Sequence, residues 1–110
     1  MKKIDIIKGI SALSSAKYEF LGYVTMRNKL KAKSIVEEYQ EIQQHIASMA
    51  KTETEKAELF KERILEWGEE TVENFNWYTF PFSKLENEKF TSSDLEPLFL
   101  YNIIINDIDS

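Results

Sequence analysis

The chain has 110 residues, of which 43% are hydrophobic and 30% charged, with a net charge of −5 and no cysteine. This length and composition predict one domain covering residues 1–110, and the lack of cysteine excludes disulfides, thiolate metal sites and cysteine nucleophiles. We do not expect the opening residues MKKIDIIKGISALSSA to be a secretion signal, because Asp5, Lys8 and Gly9 interrupt the apolar run. We therefore expect a cytoplasmic protein.

Charge is distributed unevenly along the chain. Residues 1–33 contain eight basic and two acidic side chains, whereas residues 34–110 contain six basic and seventeen acidic ones. One interpretation is that basic and acidic helices lie antiparallel and neutralise each other within one molecule. The other is that the two regions attract different partners, or the opposite region of a neighbouring copy. We favour the intramolecular interpretation.

The first predicted helix covers residues 4–30. Gly9 and Gly22 weaken it, and Ser14–Ser15 allow a break. Residues 18–26 are rich in β-forming side chains, so a strand stays open there. The helical spacing is carried by five apolar residues: Ile6, Ile10, Leu13, Leu21 and Val24.

The middle of the chain gives the clearest signal, because no glycine or proline occurs from Tyr23 to Trp67. A second helix is predicted over residues 30–50, and its apolar stripe is Ala32, Ile35, Tyr39, Ile42, Ile46 and Met49. Thr52 followed by Glu55 matches a capping box, which predicts a turn and a third helix over residues 53–76. One long helix with a register shift is the alternative.

The third predicted helix pairs with the second as an antiparallel hairpin. Its predicted inner residues are Ala57, Phe60, Ile64, Leu65, Trp67, Thr71, Val72 and Phe75. Beyond it, Trp77, Tyr78, Phe80 and Phe82 surround Pro81, which predicts an irregular aromatic segment.

A last helix is predicted from the apolar run that begins at Leu95 and includes Ile108. Ser93 and Glu96 match a second capping box at its start. Residues 98–106 also suit a buried strand, and that alternative stays open. The predicted fold class is all-α: a small three- to four-helix bundle built on a central antiparallel helical hairpin.

No pattern in the chain predicts catalysis, so we expect neither an enzyme nor a cofactor. His45 is the only histidine, and Glu38 and Glu41 share its side of the second helix. A metal site is not expected, because there is no second histidine and the Glu-x-x-His spacing of di-iron bundles is absent. The three isolated glycines exclude a phosphate-binding loop.

Binding is the function that these exclusions leave. We predict a non-catalytic protein–protein interaction module that binds a larger protein. One form of this hypothesis adds a homodimer. A composition rich in Lys, Glu, Ile and Asn is typical of AT-rich bacterial or phage genomes. It favours a phage- or mobile-element-encoded inhibitor, immunity protein or accessory factor.

Seven residues are predicted to contact the partner: Glu66, Glu69, Glu70, Glu73, Trp77, Tyr78 and Phe80. Packing in the core is the competing interpretation of the three aromatic residues. The alternative function is a nucleic-acid-binding regulator that uses the basic segment, with Arg27, Lys29, Lys31 and Lys33 on phosphates. The acidic total charge weakens that alternative, and we expect no membrane association.

Overall fold

The computed structural model describes residues 1–106, and helices account for 69% of them. The five α-helices of the described chain are α1 (Lys3–Ala16), α2 (Gly22–Lys31), α3 (Lys33–Met49), α4 (Glu53–Gly68) and α5 (Ser92–Leu100). Two 3₁₀ turns, Glu19–Leu21 and Phe82–Leu85, and two short strands, β1 (Phe80–Pro81) and β2 (Ile104–Ile105), complete the order. The prediction of a mostly helical fold is confirmed. Ile108 of the predicted last helix lies outside the described residues.

Helix α1 is the centre of the packing, since it contacts each of the other four helices. Its buried face consists of Ile6, Gly9, Leu13 and Ala16. Two glycines allow close approach at this helix. A Cβ at Gly9 would overlap the indole ring of Trp77, and a Cβ at Gly68 would lie 2.8 Å from the Cβ of Ile4.

The first predicted helix is in fact two helices. Helix α1 ends at Ala16, Lys17 follows in the left-handed region at φ 53°, and α2 begins at Gly22 after the 3₁₀ turn. A lysine at positive φ cannot continue a right-handed helix, so the break follows the serines by one residue. No strand forms over residues 18–26.

Helices α3 and α4 pack as an antiparallel pair joined by residues 50–52. The ring of Tyr39 contacts Phe60 and Trp67, with ring centroids 5.7 Å and 5.9 Å apart. Thr52 Oγ1 accepts a hydrogen bond from the Glu55 amide nitrogen at 3.1 Å, so the predicted cap is confirmed and the single long helix is wrong. The apolar stripe of α3 is not buried throughout, because Met49 is exposed.

Helix α4 ends at Gly68, eight residues before the predicted end. Lys2 forms an antiparallel bridge with Thr71, and the Val72 amide donates to the Met1 carbonyl oxygen at 2.8 Å. The N-terminal residues thus hold residues 70–72 in an extended conformation. Three residues predicted to lie inside the helix pair are exposed: Ala57, Leu65 and Thr71. Ala57 faces α3 but lines an open groove at the hairpin end, and Thr71 lies beyond the end of α4.

The last predicted helix divides into a helix and a strand. Helix α5 ends at Leu100, and β2 pairs in parallel with β1, so that Phe80 lies opposite Ile104. Both interpretations of residues 98–106 therefore hold, each over part of the segment. The predicted cap at Ser93 is wrong, because α5 begins after Thr91 without a side-chain cap.

The molecule is elongated, with extents of 54 × 29 × 21 Å. Its Cα radius of gyration of 16.2 Å exceeds the value of about 13 Å for a compact chain of this length. The contacts of α1 with the hairpin lie near Glu38 and Glu70, and of residues 43–58 only Ile46 is buried. No helix within residues 1–106 combines the length and the apolar character that crossing a bilayer requires.

Candidate functional site

A groove of 540 Å³ runs between α3 and α4, and we call it the hairpin groove. Its apolar floor consists of Ile42, Ile46 and Trp67, and charged side chains surround the floor. The lining residues of α3 are three or four positions apart, and so are those of α4. Each helix therefore presents one of its faces to the groove. The complete lining is Glu38, Glu41, Ile42, His45, Ile46, Arg63, Glu66, Trp67 and Glu70.

One carboxylate of the groove is fixed by its neighbours. Glu38 Oε1 accepts hydrogen bonds from Lys3 Nζ at 2.9 Å and from the Trp67 indole nitrogen at 3.3 Å. The bond from Lys3 lowers the pKa of Glu38 below its ordinary value of 4.5, against the opposing effect of burial, and Trp67 lowers it further. Glu38 therefore anchors α1 to the hairpin and is not free for a partner.

Two other carboxylates of the groove, those of Glu41 and Glu66, are exposed and make no hydrogen bond or ion pair with residues 1–106. Glu70 also lines the groove and lies 3.4 Å from Lys3 Nζ. Arg63 and His45 line the same groove, but neither forms an ion pair with these two carboxylates within residues 1–106. A cationic group that enters the groove would meet both of them over an apolar floor.

The structure separates the four predicted acidic residues. Glu66 and Glu70 line the hairpin groove, but Glu69 lies outside it and forms an ion pair with Lys2 at 2.7 Å. Glu73 is exposed beyond the end of α4. The predicted helix over residues 53–76 would have held all four, but α4 ends at Gly68, so the last three of these positions are not helical.

The predicted aromatic anchors are divided between core and surface. Trp77 and Phe80 are buried, with Trp77 against Gly9 and Phe80 against Phe20, so core packing is the correct interpretation for both. Their side chains are unavailable to a partner in this conformation. Tyr78 is half-buried and contacts α2.

A second surface lies on α2, and we call it the α2 face. Tyr23, Met26 and Leu30 are 55%, 48% and 63% exposed, and their spacing of three and four residues places them on one stripe. The opposite side of the helix is buried through Val24 and Asn28. The basic residues Arg27, Lys29 and Lys31 border the stripe.

The basic residues proposed for nucleic acid have unequal surroundings. Arg27 Nη1 donates to the Tyr23 hydroxyl at 3.2 Å, and its guanidinium lies 4.8 Å from the centroid of the Tyr78 ring. Lys31 Nζ donates to the Asn76 carbonyl oxygen at 2.9 Å. Lys29 and Lys33 are exposed. Two of the four cations are therefore engaged within the chain.

The sequence predictions did not include two features: the apolar stripe of the α2 face and the hairpin groove. The stripe of Tyr23, Met26 and Leu30 has helical spacing of its own, opposite the inner residues Leu21 and Val24, and a search for two apolar stripes on one helix would have found it. The hairpin groove has no such signal, because it depends on how two separate helices face each other.

No group of three or more His, Cys, Asp or Glu side chains in residues 1–106 is arranged to hold a metal ion. His45 does lie in the groove with Glu38 and Glu41, but Glu38 is already bound by Lys3. Comparisons of the chain with protein-family profiles, with curated proteins and with solved structures find no match.

Proposed function

We propose that the chain is a non-catalytic protein-binding module, and that its hairpin groove receives a basic amphipathic segment of a larger protein. The observation that supports this proposal is the pairing of an apolar floor with the free carboxylates of Glu41 and Glu66. Apolar contact provides affinity in such a groove, and the two charges select for Lys or Arg at its edge. In this proposal the α3–α4 hairpin is the binding unit of a small helical bundle, and it is not the bundle's centre, because α1 makes the contacts with all other helices.

The projecting shape of the hairpin supports the same proposal. Residues 43–58 stand beyond the packed body, and both sides of the helix pair are accessible there. His45 and Ile46 of the groove lining belong to this projecting end, so a partner can reach that end of the groove without any rearrangement of the core. An inhibitor, immunity protein or accessory factor of a phage or mobile element is the concrete form that we propose, with the cytoplasm as its compartment.

Site-specific photo-crosslinking in the cells that make the protein tests the proposal. A photoreactive amino acid replaces His45 inside the groove, and a matched control variant carries it at the exposed Lys84, which is not a groove residue. We expect one adduct with a larger protein from position 45 and none from position 84. Adding Glu41→Lys and Glu66→Lys should remove that adduct, since the groove then repels a basic segment.

Two results would contradict this function. One is an equal yield of adducts from positions 45 and 84, which would mean random collision. The other is an adduct that survives the two charge reversals, which would place the contact outside the groove. The alternative, a regulator that binds nucleic acid through the basic segment Arg27–Lys33, requires a gel shift that weakens steeply with salt, and no shift at low salt would end it.

A further inference from the structure

The α2 face consists of three large side chains, Tyr23, Met26 and Leu30, that stay 48–63% exposed in the described chain. They occupy the side of α2 directly opposite its buried residues, so they point away from the body. The spacing i, i+3, i+7 is that of the anchors by which an amphipathic helix lies in a groove of another protein. A surface helix with this pattern is typical of an interface, because scattered single apolar residues are normal and aligned ones are not.

Cations flank this stripe on both sides. Lys29 lies on one side, and Arg27 and Lys31 lie on the other. Arg27 is held in place by Tyr23 and Tyr78, whose rings are themselves 5.6 Å apart in an edge-to-face arrangement. Arginine and tyrosine are enriched among the residues that dominate binding energies, and a preordered arginine loses less entropy on binding.

The hairpin groove has the complementary features. It offers an apolar floor where α2 offers an apolar ridge, and it offers the exposed carboxylates of Glu41 and Glu66 where α2 offers Lys29 and Lys31. Lys31 would exchange its hydrogen bond to the Asn76 carbonyl oxygen for a carboxylate, and the basic Arg63 of the groove lining would have to point away from the docked helix. The two surfaces cannot meet within one molecule, because the stripe of α2 faces away from the body to which α3 and α4 belong. A second copy can supply the missing surface.

We propose that α2 of one molecule docks in the hairpin groove of a second copy of this chain. The inference rests on the proposed function in one respect, namely that the groove is a binding surface for basic amphipathic segments. When a two-fold axis relates the copies, each provides one α2 face and one groove, and both contacts form together. Such a dimer covers the groove, so the larger partner has to displace the second copy.

Sedimentation velocity on the full chain at about 100 µM tests the association. At this concentration a dimer with a micromolar dissociation constant is mostly formed. We expect the wild-type protein to dimerise and Leu30→Glu to be monomeric. The matched control is Leu100→Glu, since Leu100 is 72% exposed and lies on α5, away from both surfaces. A monomeric wild-type protein would overturn the inference, and so would equal effects of the two leucine substitutions.

A charge exchange identifies the two surfaces that meet. Variant A carries Lys29→Glu and Lys31→Glu, and variant B carries Glu41→Lys and Glu66→Lys. Each variant alone presents like charges at the contact, so its dimerisation constant should weaken by about tenfold or more. An equal mixture of A and B restores opposite charges at both contacts and should dimerise within about threefold of the wild-type affinity.

The mixture also shows that both variants are folded, because unfolded chains would not restore association. Two monomers that stay separate on mixing would overturn the proposed contact. The crosslinking experiment stays independent of this one, since variant A keeps the acidic groove and should retain its adduct with the larger protein. A wild-type protein that stays monomeric and still forms the adduct from position 45 would overturn the dimer and leave the proposed function standing.

Discussion

Asn28 is the one buried polar residue of the described core, and it joins α2 to the aromatic segment. Its Nδ2 donates to the Tyr78 carbonyl oxygen at 2.9 Å, and its Oδ1 accepts from the Tyr78 amide at 2.7 Å. The side chain thereby gives the irregular backbone at Tyr78 the two hydrogen bonds that a neighbouring strand would otherwise provide. No local pattern marks this asparagine among the basic residues around it, because its partner is fifty positions away.

Removal of this amide should be costly. We expect Asn28→Ala to lower the free energy of unfolding by about 2–4 kcal/mol, because both backbone groups of Tyr78 lose their partner inside the protein. Urea denaturation followed by circular dichroism measures the change. Asn87→Ala, at an exposed loop position, serves as control and should cost less than about 0.5 kcal/mol. Equal stability of the two variants would show that the Asn28 bonds contribute nothing.

The Lys3–Glu38 pair predicts a stability difference that depends on pH. The side chain of Lys3 is 14% exposed and that of Glu38 is 42% exposed, so solvent weakens the attraction. We expect Glu38→Gln to lower the free energy of unfolding by about 0.5–1 kcal/mol at neutral pH. The pKa of Glu38 is lower in the folded chain than in the unfolded one, so this contribution exists above pH 4.5 and disappears as the pH falls below it.

Denaturation curves of both proteins at pH 7 and at acid pH provide the measurement. Glu37→Gln is the matched control, since Glu37 is the exposed neighbour on α3 and has no ion pair in the described chain. A gap between wild type and Glu38→Gln that stays constant down to the acid range would contradict the role given to Lys3.

Secondary structure was predictable wherever local chemistry decides it. The apolar period of α3 and the cap at Thr52 define the hairpin from neighbouring residues alone. The end of α4 was not predictable in this way. Val72 and Phe75 continue the apolar pattern, yet the helix ends before them. Met1 and Lys2, which are distant in the sequence, pair with the backbone of residues 71–72.

Gly9 illustrates the same difference between local preference and packing. Local propensity marks this residue as a weak point of the first helix, whereas the structure uses it as the place where α1 and Trp77 approach most closely. The helix tolerates the glycine because a side chain there would displace a buried indole ring.

We expect Gly9→Ala to destabilise the protein by about 1–3 kcal/mol, although alanine favours helices, because the added methyl group forces Trp77 to move. Gly22→Ala is the matched control: Gly22 begins α2 at φ −57°, and no atom lies within 4 Å of its added Cβ. That variant should be as stable as the wild type or up to about 1 kcal/mol more stable. Thermal unfolding of the two variants decides between packing and propensity.

At the level of the whole molecule, the elongated shape divides the chain into a packed body and a projecting hairpin end. The body contains α1, α5 and the paired strands, and its residues Ile6, Leu95 and Ile103 are fully buried. The hairpin end, residues 43–58, is held together by few apolar contacts. The uneven distribution of charge was evident from the sequence. The hairpin groove and the α2 face that carry these charges depend on the tertiary arrangement.

Native-state hydrogen exchange should resolve this division. We expect amides of residues 43–58 to exchange through local opening, with an opening free energy several kcal/mol below that of α1 and α5. Residues 33–42 of the same helix pair, which approach α1, are the internal control and should be protected more strongly. Uniform protection along both helices would mean that the hairpin end unfolds only with the whole protein.

The contact between α1 and α5 has a consequence for how the protein is made. Helix α1 packs against α5, and just after α1 the Tyr18 hydroxyl donates to Asp94 Oδ2 at 2.9 Å and accepts from the Thr91 amide at 2.8 Å. During translation, the side of α1 that faces α5 therefore stays uncovered until residues 91–100 have been synthesised. Until then this apolar surface is open to aggregation or to binding by chaperones.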